Sequence, residues 1–188
     1  MKTLLNIFCA IMFLCLFSAC GRNVSCPDLD ENILSWFPYE EGSVIRLENK
    51  TTDDLLTIPI AYMRIDHTSH YNTSYDCGHC DDEIMIGNND VGFSISVHIE
   101  KNKITFERYK IGDVSFYGSH IMSENYIFND KKYEQVKIFE NTGNNTKLIV
   151  ARNFGIVGFI DENGEEWLLI ENSAMQQIKA RIIDVSCG

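Results

Sequence analysis

The chain is short of cations and nowhere clusters them. Its 188 residues hold 16 Lys and Arg against 27 Asp and Glu, a net charge of −11. An acidic surface without a Lys/Arg patch argues against nucleic acid, and against electrostatic attachment to anionic lipid. Catalytic signatures are missing too. There is no G-x-S-x-G, no H-E-x-x-H and no EF-hand loop. Gly155-Ile156-Val157-Gly158 lacks the GK[ST] ending of a phosphate loop and the helix that would follow it. Glycines so placed mark a bulge or the close approach of an aromatic, with Trp167 and Phe159 as the candidates. No internal repeat, low-complexity tract or linker rich in Pro, Gly or Ser divides the chain. After residue 19 no apolar run approaches the ~20 residues of a membrane-spanning helix.

What the N-terminus does have is a targeting segment. Lys2 is its positive end, Leu4 to Phe17 its apolar run, and Ser18-Ala19 the small residues before a cleavage site. Leu16-Phe17-Ser18-Ala19-Cys20 resembles a bacterial lipoprotein lipobox, with Phe17 where the pattern usually has a branched residue or Leu. The resemblance implies cleavage before Cys20 and lipidation of its thiol and new amino group. Residues 1–19 are then a signal peptide, 20–27 a tether and 28–188 one domain. Losing 19 of 188 residues leaves 169, and losing Lys2 takes the net charge to −12. A chain of that size can bury a core without needing disulfides to fold. Surface-exported lipoproteins of the Bacteroidota carry acids directly after the lipidated cysteine. Here Gly21-Arg22-Asn23 follows, which points to an outer-membrane anchor facing the periplasm.

Seven cysteines reduce to four. Cys9 and Cys15 lie in the signal core and Cys20 is the lipid acceptor. Cys26, Cys77, Cys80 and Cys187 would meet an oxidising compartment, where pairing is the default. Of three connectivities, proximity favours Cys77–Cys80 and elimination then gives Cys26–Cys187.

Period-two patterning dominates the rest. Val91, Phe93, Ile95, Val97 and Ile99 alternate with Gly92, Ser94, Ser96, His98 and Glu100, one dry face and one wet. Further strands are expected at Val44–Leu47, Leu55–Ile65, Ile104–Tyr109, Val114–Tyr117, Tyr126–Phe128 and Tyr133–Phe139. A closing meander follows over Thr146–Glu171, turning at Asn163-Gly164 in a type I′ turn or a bulge. Pro59 removes a ladder donor, so its strand is an edge or bulged one. Asp28 to Phe37 reads as one or two helical turns that Pro38 ends, with Trp36 packing in the core. Ser173–Cys187 suits either a short helix or a closing strand. About nine or ten short strands without long helices indicate a mainly β fold, one antiparallel sandwich, half-barrel or barrel.

One stretch has chemical potential. Asp66 to Glu83 reads DHTSHYNTSYDCGHCDDE, a polar loop between strands. Cys77-Gly78-His79-Cys80 resembles the active-site motif of protein disulfide isomerases. The resemblance ends with those four residues. The next breakers come too soon for the long helix that lowers the thiol pKa, and the neighbouring acids would raise it. All three prolines, Pro27, Pro38 and Pro59, lie upstream, so none can supply the downstream cis-proline. His67, His70, Cys77 and Cys80 mix imidazole and thiolate in a way that suits tetrahedral zinc, but an oxidised cysteine pair could not ligate.

A longer resemblance runs through Trp36-Phe37-Pro38-Tyr39, Lys131-Lys132-Tyr133-Glu134-Gln135-Val136, Gly155-Ile156-Val157-Gly158-Phe159, Asn163-Gly164 and Trp167. In that order the motifs look like those of uncharacterised small envelope lipoproteins of the Bacteroidota. The resemblance implies an antiparallel-sheet lipoprotein of the cell envelope and carries over no catalytic residue. The expected role is a non-catalytic binding or structural module without a cofactor, whose partner is a hydrophobic ligand or another envelope protein. The alternative is a metal-binding or thiol-redox protein using the His67–Cys80 cluster.

Overall fold

In the computed structural model, Cys26 and residues 28–70, 79–118, 120–141 and 145–172 are described. They form a β-sandwich of two antiparallel sheets that does not close into a barrel. One short helix, α1 (Glu31–Leu34), precedes twelve strands. These are β1 (Val44–Asn49), β2 (Leu55–Pro59), β3 (Tyr62–His70), β4 (His79–Asn88), β5 (Phe93–Glu100) and β6 (Lys103–Ile111). They continue with β7 (Val114–Tyr117), β8 (Ile121–Phe128), β9 (Lys131–Asn141), β10 (Thr146–Ala151), β11 (Gly155–Ile160) and β12 (Glu166–Asn172). The large sheet has the order β2-β1-β12-β11-β10-β9-β8 and the small sheet β3-β4-β5-β6-β7. Consecutive strands are neighbours everywhere except at β2/β3 and β7/β8. The order is therefore that of an up-and-down barrel opened along two seams, where the chain steps from one sheet to the other.

The expected Leu55–Ile65 strand is two strands. Pro59 ends β2, an edge strand, and the chain crosses at Ile60-Ala61 to begin β3. The Asp66–Glu83 stretch is not a loop over most of its length. β3 and β4 pair in unbroken register from Tyr62↔Gly87 to His70↔His79. Apolar periodicity is absent there because the ladder, not a greasy face, holds these residues in place. The β5 alternation is present from Phe93 to Glu100. Val91 instead ends a 3₁₀ turn and is 43% exposed. Lys101-Asn102 and Asn129-Asp130 both turn with two successive positive φ values, the type I′ signature. At Asn163-Gly164 only Gly164 is left-handed, so of the two expected turns it is the bulged one.

The main core lies between the sheets. Ile45, Leu47, Leu148 and Ile156 of the large sheet face Ile84, Ile86, Ile95 and Val97 of the small one. α1 and the residues after it plug one end, burying Ile33, Trp36, Phe37 and Tyr39. The Asp30 side chain caps the helix by accepting from Asn32 N at 2.8 Å. Arg152 fastens the plug, donating to Ser35 Oγ (2.9 Å), Gln135 Oε1 (3.0 Å) and Asn32 Oδ1 (2.5 Å). A smaller core forms on the outward face of the large sheet, where Val136, Ile149, Ala151 and Val157 are buried beneath Tyr126, Phe128 and Phe154. Close packing on the two faces of the large sheet explains the strand glycines. A Cβ on Gly158 would lie 2.5 Å from the Phe128 ring, and one on Gly155 would strike the Tyr39 hydroxyl. The aromatics are thus Phe128 and Tyr39 rather than Trp167 or Phe159, and a register shift in the β10/β11 pairing supplies the bulge as well.

Candidate functional site

The cysteine connectivity differs from expectation. Cys26 and Cys80 are joined, with Cα atoms 5.6 Å apart, which rules out both Cys77–Cys80 and Cys26–Cys187. Sequence proximity is a poor guide here because Cys80 belongs to β4, whose paired backbone holds it beside Cys26. Cys20, Cys77 and Cys187 lie outside the described residues. The zinc set is broken by the same bond, since Cys80 is no longer a thiolate donor. His67 sits on β3 opposite Asp82, and its Nδ1 is 2.7 Å from Asp82 Oδ1. His70 is further along β3, opposite His79. Among the described residues no group of three or more His, Cys, Asp or Glu could hold a metal ion. His67 and Asp82 remain as an acid–imidazole pair at the end of the small sheet, with Asp82 buried and His67 half-exposed.

A second polar cluster escaped the sequence reading. Glu107 on β6 and Lys137 on β9 point inward from opposite sheets, 3% and 4% exposed, with Lys137 Nζ 2.6 Å from Glu107 Oε1. The Tyr109 hydroxyl donates to the same oxygen at 3.3 Å, and His120 Nδ1 lies 3.6 Å from Oε2. The Lys137 ammonium rests 4.5 Å from the centre of the Trp36 ring. Burial pulls the Lys137 pKa down and the Glu107 carboxylate opposes this. Burial pushes the Tyr109 hydroxyl well up, with Glu107 adding to it. His120 is lowered, first by burial and then by Lys137, against Glu107. A signal was present in the sequence. Glu107 shares an inward row with Tyr109 and Ile111, and Lys137 with Phe139. Two lone charges of opposite sign on apolar rows form a candidate cross-sheet pair.

Open space lies elsewhere. A cleft of about 220 Å³ opens where the large sheet meets the tips of the β4–β5 and β6–β7 hairpins. It is lined by Leu56, Ile58, Phe93, Ile111, Phe159 and Trp167 among others. Phe159 and Trp167 stack with parallel planes, centroids 5.7 Å apart. The indole N–H donates to Asp161 Oδ2 at 3.2 Å. Asp161 Oδ1 accepts from Asn163 N and Glu165 N, so this carboxylate shapes the turn as well as the cleft wall. Another cleft, about 200 Å³, runs along the β7/β9 side past Phe116, Tyr117 and Phe139. Both fall below the ~300–1,000 Å³ usual for small-molecule sites.

No protein-family profile, no curated protein and no solved structure matches this chain. No helix among the described residues is long and apolar enough to cross a membrane.

Proposed function

We propose that the protein is an exported, lipid-anchored module of the cell envelope, at the outer membrane facing the periplasm, that works by non-catalytic binding at its surface. The lipobox at Leu16–Cys20 supports the anchor, and the likeness to small envelope lipoproteins of the Bacteroidota supports the class. One observation carries the choice of surface over interior. Among the described residues, apolar side chains from both sheets form one buried cluster, and the charges beside it, Glu107 and Lys137, pair with each other. A lipid carrier needs a cavity several times larger than either cleft described above. Thiol chemistry at Cys77-Gly78-His79-Cys80 is disfavoured because Cys80 is bonded to Cys26.

The test is expression in a Gram-negative host with labelled fatty acid. The wild-type chain should take up label and partition with membranes, and Cys20→Ser should do neither. Label on the Cys20→Ser chain, or an unlabelled wild type, would refute the anchor. Insulin reduction faster than that by free dithiol would refute the non-catalytic part.

A further inference from the structure

The cleft beside Trp167 is lined mostly by apolar residues, with Asp161 in its wall and further acidic residues in the turns that border it. The turns that build its walls carry Asp90 next to Val91, Asp113 next to Gly112, and Asp161 with Glu162 ahead of Gly164. Asp53 and Asp54 lie in the β1–β2 turn that leads into Leu56. Among the described residues of these turns the one cation is Lys50, whose ammonium is 3.9 Å from Glu166. Val91, 43% exposed, extends the apolar surface onto the rim.

We propose that this cleft docks a basic polypeptide segment, with one Leu-, Met- or Phe-sized side chain seated against Trp167 and Phe93 and flanking Lys or Arg residues facing the acidic turns. Charge complementarity selects the occupant. Anionic lipid and nucleic acid are repelled by the same rim and by the chain's net charge of −11. A bare cation would meet a hydrocarbon floor and an Asp161 carboxylate already engaged by two backbone N–H groups and an indole. An apolar anchor flanked by cations matches both parts of the cleft. A docking surface of this kind combines a desolvated anchor with a charged rim that guides approach and weakens with salt. The inference deepens the binding-module reading by naming the partner's chemistry.

Trp167 supplies the readout. The other tryptophan, Trp36, is 8% exposed inside the core, whereas Trp167 is half-buried at the cleft. Full-length protein would be titrated with a Lys-rich peptide bearing one central Phe, following tryptophan emission at low salt. A saturable change is expected, suppressed by 0.5 M salt and by replacing the peptide's Phe with Ala. Asp90→Asn/Asp113→Asn should weaken binding about three- to tenfold, as loss of two rim charges implies. Both residues are exposed, so the fold should be untouched, which a thermal melt would verify. Absence of binding, binding that ignores the Phe, or binding unchanged in the double variant would overturn the proposal. Calorimetric binding that leaves Trp167 emission unmoved would overturn the cleft while keeping a surface-binding module. Failed acylation would overturn the envelope anchor and leave the cleft intact.

Discussion

Lys137 and Glu107 are the residues whose replacement should be costliest for their size. Removing one leaves the other charged in an apolar interior, which costs about 3–5 kcal/mol. Lys137→Met should therefore lower the urea midpoint sharply. Lys137→Met combined with Glu107→Leu should recover most of the loss, since a packed apolar pair can replace a buried ion pair. A double variant no better than the single one would show that Tyr109 and His120 also depend on the carboxylate. His120 adds a pH dependence of known sign. Its pKa in the fold lies below the ordinary 6.5, so the unfolded chain binds the proton more readily. Stability should fall as pH drops through 6.5 toward the lower folded value, and this group should contribute no slope above that window. Groups facing it are Glu107 from β6, Lys137 from β9 and the Phe139 ring. The slope between pH 7.5 and 5.5 should flatten in His120→Asn relative to wild type, the shared carboxylate titrations cancelling in the difference. At this scale the sequence was legible where a residue broke a pattern. A charge on an apolar row stands out, but its partner 30 positions away is fixed only by how the sheets stack.

Elements differ in how far their own residues explain them. β5 is written in its alternation, and its burial follows that pattern residue by residue. Of β8, patterning marks only Tyr126–Phe128, because Ile121-Met122-Ser123-Glu124 does not alternate. Pairing with β9 from Ile121↔Ile138 onward makes it a strand. It is also the edge of the large sheet, with Ile121, Met122 and Ile127 exposed, which is where unpaired strand groups meet solvent. The β8–β9 hairpin has a structural task as well. Its Phe128 covers the outward face of the large sheet above Gly158. Gly158→Ala should push that ring and the Trp167 carbonyl apart, at about 1–3 kcal/mol in a chemical melt. A neutral substitution would mean the hairpin can lift without consequence. The glycine pattern points to a close approach at Gly158, but the aromatic is Phe128, three strands away in the sheet order and so not visible from neighbouring residues.

For the whole molecule, the mainly β class and the antiparallel sandwich are readable from patterning, and the two-seam topology is not. Seams depend on where a strand bends from one sheet to the other, which at Ile60-Ala61 takes two residues with no turn signal. The Cys26–Cys80 bond, 54 residues apart in sequence, ties Cys26 to β4 of the small sheet. Chain-entropy reasoning assigns such a closure about 4 kcal/mol. Cys26→Ala/Cys80→Ala should lower the melting temperature under non-reducing conditions, and an unchanged melt would mean the bond does not restrain the unfolded chain. On the proposed function, binding belongs to the surface and not to a cavity between the sheets. Native mass spectrometry of the protein, purified from membranes in mild detergent, tests it directly when the native and denatured masses are compared. Equal masses, each that of an acylated chain beginning at Cys20, are expected. Lipid released only on denaturation would contradict it, because a module that binds at its surface holds no lipid between its sheets.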